Sequence, residues 1–174
     1  MLPGASYGPE MPGLAIPIDV LTARGAQIVR VTYPPAPWPD WRRAEAGDWS
    51  EVLEGLGPQI APTLAGADRV TLVAKSMGTS VFGGVRHLFP AITEAVWITP
   101  LFNDPDVCRD VLTARFRCLS IFATDDSAHD PDWQARVTAA CDGRELALEG
   151  VGHALTMSDE QRDELRRAVE QFVA

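Results

Sequence analysis

The chain has 174 residues, 46% of them hydrophobic and 22% charged, which suits one globular domain spanning 1–174. A formal net charge of −9 repels a phosphate backbone and sets nucleic acid aside as a partner. No apolar run approaches the ~20 residues that span a bilayer, and no basic stretch followed by an apolar one opens the chain. Neither a membrane span nor a secretory signal is expected, and the cytoplasm is the expected location.

Short β-branched runs alternate with longer helical patterns, which predicts a mainly parallel sheet of about six strands with helices on both faces, a three-layer α/β sandwich. In chain order, Met1 and Leu2 form the stub of a strand running into Pro3-Gly4. A helix over 14–23 stops at Gly25, and a strand follows over 27–33. Four prolines then deny helix or central strand to 33–41, leaving a loop that carries Trp38 and Trp41. A helix over 50–64 should be kinked or split by Gly57-Pro58. The strand over 69–74 leads into a helix over 77–88, the strand over 95–99 into a helix over 104–113, and the strand over 118–123 into a helix over 132–140. A weaker strand over 144–148 precedes the last helix, 158–173, where Ser158 and Gln161 fit a capping box ahead of an apolar stripe.

Three cysteines, Cys108, Cys118 and Cys141, are widely spaced and odd in number, so they read as idle thiols, with neither a metal-type cluster nor a disulfide framework.

Three short segments carry chemistry. Ser76 stands in Val73-Ala74-Lys75-Ser76-Met77-Gly78-Thr79, with a predicted strand before it and a predicted helix after it. A sharp strand-to-helix turn lifts a serine Oγ clear of the sheet, and small residues two before and two after relieve the crowding there. Ala74 and Gly78 supply them. A serine hydroxyl also needs a base beside it. The second segment, Ile121-Phe122-Ala123-Thr124-Asp125-Asp126, ends a strand in a turn with two carboxylates. The third, Gly150-Val151-Gly152-His153, makes a tight turn after the last strand. Of the other histidines, His87 lies eleven residues along the helix from Ser76, too far to reach its Oγ. His129 follows Asp126 too closely to face it across a site. With Asp125, Asp126 and Asp130 it offers only a loose oxygen-rich cluster, and no metal is expected.

The strand–A-K-S-M-G–helix context resembles the nucleophile elbow, G-x-S-x-G, of the α/β-hydrolase superfamily, with Ala74 in place of the first glycine. Serine, acid and histidine follow in that superfamily's chain order. The resemblance covers nearly the whole chain. In length and order it also looks like the small serine hydrolases related to retinoblastoma-binding protein 9. Fewer than twenty residues separate the 95–99 and 118–123 strands, so no cap domain is expected.

The resemblance implies a triad of Ser76, Asp126 and His153, with Asp125 the alternative acid. It implies an oxyanion hole from the backbone N–H groups of Met77 and Ala5, with Ser6 the alternative to Ala5. Tyr7, Trp38 and Trp41 either line the substrate pocket or pack as surface-loop rings. The implied activity is hydrolysis of a small-molecule ester or thioester through an acyl-enzyme, with no cofactor. A regulatory protein that keeps the elbow without turnover, and an acyltransferase on the same fold, remain as other readings. Oligomeric state is not readable.

Overall fold

The computed structural model describes residues 1–33, 50–88, 92–113 and 116–174. Four strands form a wholly parallel sheet: β1 (Val70–Lys75), β2 (Ile92–Ile98), β3 (Arg117–Ala123) and β4 (Arg144–Leu148), side by side in that order. Each is followed by a helix, as a parallel connection requires. These are α3 (Met77–Val85), α4 (Pro105–Thr113), α5 (Pro131–Ala140) and α6 (Asp159–Phe172). Before the sheet come α1 (Pro12–Ala23) and α2 (Ser50–Leu64).

The side chains alternate between two cores. Leu72, Ala74 and Trp97 face Leu56 and Ile60 of α2, Val81 and Phe82 of α3, Val107 and Val111 of α4, and Val137 of α5. Val73, Val96, Ile98, Leu119 and Ile121 face Leu14, Ile18 and Leu21 of α1, and Leu165, Val169 and Phe172 of α6. The strands are apolar on both faces because helices cover both. The expected capping box at Ser158–Gln161 is present and starts α6.

Six strands are expected from the sequence and four form among the described residues. Leu2 makes one parallel bridge to Ala74, through Leu2 N–H to Val73 O at 2.8 Å and Lys75 N–H to Leu2 O at 3.0 Å. Outside it, Met1 N donates to Val29 O at 2.8 Å and Met1 O accepts from Val31 N–H at 3.2 Å. The 27–33 segment thus lies beside Met1 without becoming a strand. These isolated bonds are too few to make a ladder.

Other boundaries differ by local causes. Strand β2 starts at Ile92 and ends at Ile98, because Thr99 takes a positive φ of 38° and leaves the ladder. The last residues of the expected 77–88 helix tighten into a 3-10 turn, Arg86–Leu88. Helix α2 is not split at Gly57-Pro58 but runs continuously through Pro58 and Pro62. Both prolines are exposed, so the carbonyls they leave without a donor face water. The proline-rich loop with Trp38 and Trp41 lies outside the described residues. No helix among the described residues is long and apolar enough to cross a membrane.

The topology creates a crevice. After Met1–Leu2 the chain crosses to one side of β1, and β2 onward builds the other side. The loops leaving Leu2 and β1 therefore part at the carboxyl ends of the strands, where open α/β sheets place their ligands.

Candidate active site

Ser76 occupies that crevice at the turn from β1 into α3, with φ 49° and ψ −117°. A non-glycine residue rarely adopts such backbone, and it persists only when its surroundings over-determine it. Here they do. Ser76 N–H donates to Ile98 O at 3.0 Å, and Thr79 returns both its N–H (2.8 Å) and its Oγ1 (2.6 Å) to Ser76 O. Thr79 Oγ1 in turn accepts from Leu101 N–H at 3.2 Å, tying the elbow to the loop after β2. Small neighbours are required on both flanks. Ala74 is fully buried, and a Cβ at Gly78 would stand 2.3 Å from Leu2 O.

The acid comes from the turn after β3. Asp126 is buried and its Oδ1 accepts from Ala128 N–H at 2.9 Å. Burial pushes this carboxyl up. The His153 hydrogen bond, the Ala128 N–H and the nearby charges of His153 and Lys75 outweigh it and hold the group below the usual carboxylate range. Asp125 is exposed and points away; its N–H donates to Val151 O at 3.0 Å, which joins the acid turn to the histidine turn.

His153 sits on the turn after β4, which Gly150 enters with φ 67° and which Leu155 N–H closes onto Gly152 O at 2.9 Å. Its ring is half-buried. Nδ1 lies 2.7 Å from Asp126 Oδ2 and Nε2 lies 2.7 Å from Ser76 Oγ. The structure thus brings Ser76, His153 and Asp126 into one hydrogen-bonded chain. With the carboxylate holding the proton on Nδ1, Nε2 is left to accept from the serine hydroxyl.

The loop after Leu2 folds over the serine. Gly4 and Tyr7 form an antiparallel bridge, and a Cβ at Gly4 would stand 3.6 Å from Ser76 Cβ. Ala5 and Ser6 are exposed at the tip of this turn, and Met77 is the first residue of α3, where amides have no intrahelical partner. Tyr7 is packed into the fold. Its hydroxyl accepts from Gly13 N–H at 2.8 Å, and its ring lies under Lys75 Nζ, 4.5 Å from the centroid.

The remaining candidates stand elsewhere. His87 is exposed on the 3-10 turn after α3. The His129 ring stacks on Phe122 at 4.3 Å, and Asp130 caps α5 by accepting from Asp132 and Trp133 N–H, so the loose cluster does not converge. Among the described residues no group of three or more His, Cys, Asp or Glu could hold a metal ion. The three cysteines are buried and unbridged. A cavity of about 370 Å³ lined by Met1, Val29, Ile60, Val70, Leu72 and Glu94 lies at the opposite ends of the strands, away from Ser76. Motif reading missed Lys75, Thr79 and Thr99. A lysine or threonine among motif residues gives no signal until the loops it bonds to are placed.

No protein-family model matches the chain, and no curated protein matches it. Solved structures do. An alpha-beta serine hydrolase homologue from Coxiella burnetii superposes with a TM-score of 0.67 at 12% identity, covering 99% of this chain and 82% of that one. Est1E from Butyrivibrio proteoclasticus, solved with ferulic acid bound, gives 0.69 at 12% identity over 99% and 86%. A serine hydrolase without lid from Xanthomonas campestris gives 0.58 at 12% identity over 96% and 76%. At such identities the likeness establishes architecture alone: this chain has the α/β-hydrolase fold.

Proposed function

We propose that this chain is a cytoplasmic serine hydrolase that cleaves a small-molecule ester or thioester, with 1–174 acting as one domain. The observation that carries the reading is the unbroken chain of two 2.7 Å contacts from Ser76 Oγ through His153 to Asp126, with the serine on a strained elbow. Ser76 Oγ attacks the carbonyl carbon as His153 Nε2 takes its proton. Asp126 stabilises the imidazolium without taking the proton itself. The tetrahedral oxyanion is met by the N–H groups of Met77 and Ala5, or of Ser6 in place of Ala5. Its collapse expels the alcohol or thiol, which receives the proton from His153. Water, deprotonated by the same base, then releases the acid and restores Ser76. Neither step draws on a cofactor.

Trp38 and Trp41, which lie outside the described residues, are proposed pocket residues. In length and order of elements the chain stays similar to the small hydrolases related to retinoblastoma-binding protein 9. An acceptor other than water would turn the same acyl-enzyme into an acyltransferase; product analysis with an added alcohol separates the two. The deciding experiment is labelling with a fluorophosphonate and mapping the modified peptide. Ser76 should carry the label and Ser76→Ala should lose it. Labelling confined to any other serine would overturn the proposal.

A further inference from the structure

The chain has a single lysine, Lys75; every other basic side chain is an arginine. That lysine directly precedes the nucleophile, yet its side chain does not point to solvent. It lies on the Val73 side of the sheet and is 1% exposed. Burying an ammonium is costly unless its donors are used. Here Nζ donates to Thr99 Oγ1 at 2.8 Å and to the His153 carbonyl at 3.0 Å, and it caps the face of the Tyr7 ring. Thr99 reaches it from backbone at positive φ, held by Thr99 N–H to Ile121 O at 2.7 Å. The nucleophile's strand, the turn carrying the base, the end of β2 and the loop over the serine therefore meet on one nitrogen.

We propose that Lys75 is a positioning residue of this site: its ammonium straps the His153 turn to the end of β2 and sets, by its charge, the pH at which the Asp126–His153 pair takes up its proton.

The argument rests on the triad reading above and adds an electrostatic one. Among the described residues, Asp126 is the ionised group that acts on Lys75, with the Tyr7 phenol and Thr99 hydroxyl as its neutral neighbours. Burial pulls the lysine down and Asp126 pulls it part of the way back, which leaves it at about 8. It is therefore cationic throughout the acid range in which the pair gains a proton. A fixed positive charge behind the carbonyl of the base opposes that uptake and so keeps the base free at lower pH. The His153 ring is half-exposed, and at an effective dielectric of about 40 a charge about 6 Å away shifts such an equilibrium by about one pH unit. Because the charge of each group alters the titration of the other, the shift belongs to the pair.

The test is the pH profile of fluorophosphonate labelling in wild type, Lys75→Met and Lys75→Arg. Met keeps the length and apolar stem and removes the charge. Its acid limb should move up by about one pH unit, while Arg should leave the limb in place. A midpoint unmoved in Met, with only the plateau lowered, would reduce Lys75 to a strap and overturn the proposal. So would an Arg variant displaced as far as Met.

If Met does not fold, wild-type protein carrying isotope-labelled lysine decides. Its one side-chain signal should step at the pH of the acid limb, and a signal featureless there overturns the coupling. Should wild type take no label at all, the hydrolase reading fails on its own. The His153 ring resonances in wild type and Lys75→Met then read the same shift directly.

Discussion

The carbonyl oxygen of Leu2 lies 2.3 Å from where a Cβ on residue 78 would stand. One methyl group at that position forces either the elbow or the first chain segment to move, and both are backbone. Gly78→Ala should therefore misplace Ser76 Oγ relative to His153 Nε2. A displacement near 1 Å costs on the order of 10²-fold in rate. Turnover of a short activated ester, measured beside a thermal melt, checks this. Full activity in Gly78→Ala would mean that Leu2 yields without disturbing the serine.

Asp126→Asn should lower kcat by about 10⁴-fold, the scale that follows when a triad carboxylate is amidated and the wrong imidazole tautomer is favoured. Asp125→Asn should cost a few-fold, because its carboxylate is exposed and only its N–H reaches the histidine turn. Steady-state kinetics of the two variants separates them. The reverse ranking would place the acid one residue earlier than the 2.7 Å contact to His153 does.

Thr79→Val keeps the shape of a buried side chain and removes its hydroxyl. Ser76 O loses one of two donors and Leu101 N–H is left without an acceptor. Leaving such a group unpaired costs about 1–3 kcal/mol. Activity should drop about tenfold or more through loss of elbow geometry, and Thr79→Ser should recover most of it. Chemical denaturation and labelling rate, taken together, show whether stability and activity fall together.

Glu94 carries the pH dependence of stability at the other end of the sheet. It is buried in β2 and accepts from Arg69, Arg117 and Thr71 at 2.7–2.9 Å. Burial raises its pKa, but the Thr71 hydroxyl and the two guanidiniums more than reverse that and leave it lowered. A depressed carboxylate stabilises the fold above its unfolded value and loses that contribution as pH falls through its folded one. Glu94→Gln should therefore cost about 1–3 kcal/mol at pH 7, with the gap to wild type closing below about pH 4. Urea unfolding across that range measures it, and a gap that stays constant on acidification would contradict the assignment.

The hydrogen-bonded set of Ser76, His153 and Asp126 is legible in the sequence because each residue sits in its own short motif. The elbow is marked by small residues around Ser76, the acid by a strand ending in paired carboxylates, and the base by glycines before His153. Helix α6 is legible for the same reason, through its cap and apolar stripe. Features that join distant segments are not legible in this way. Residues 27–33 bond to Met1 without forming a ladder, which no propensity at 27–33 can reveal. Lys75 reads as one variable position in a motif until Thr99, Tyr7 and the His153 carbonyl are placed around its nitrogen. Thr79 is likewise indistinguishable from an ordinary helix residue.

The elbow at Ser76 is held from Leu2, from Ile98, and by a lysine whose partner lies 78 residues further along the chain. Thr79 apart, its positive φ is held by segments distant in sequence, so the strained serine cannot exist in a chain that has formed only helices or only neighbouring strand pairs. Contacts this far apart in sequence close late, since the intervening chain must first be ordered. Recovery of fluorophosphonate reactivity during refolding should accordingly trail the return of helical signal. The Ser76–His153–Asp126 chain of hydrogen bonds thus comes into being only as the last act of assembly, and a half-folded chain presents an ordinary serine hydroxyl in its place.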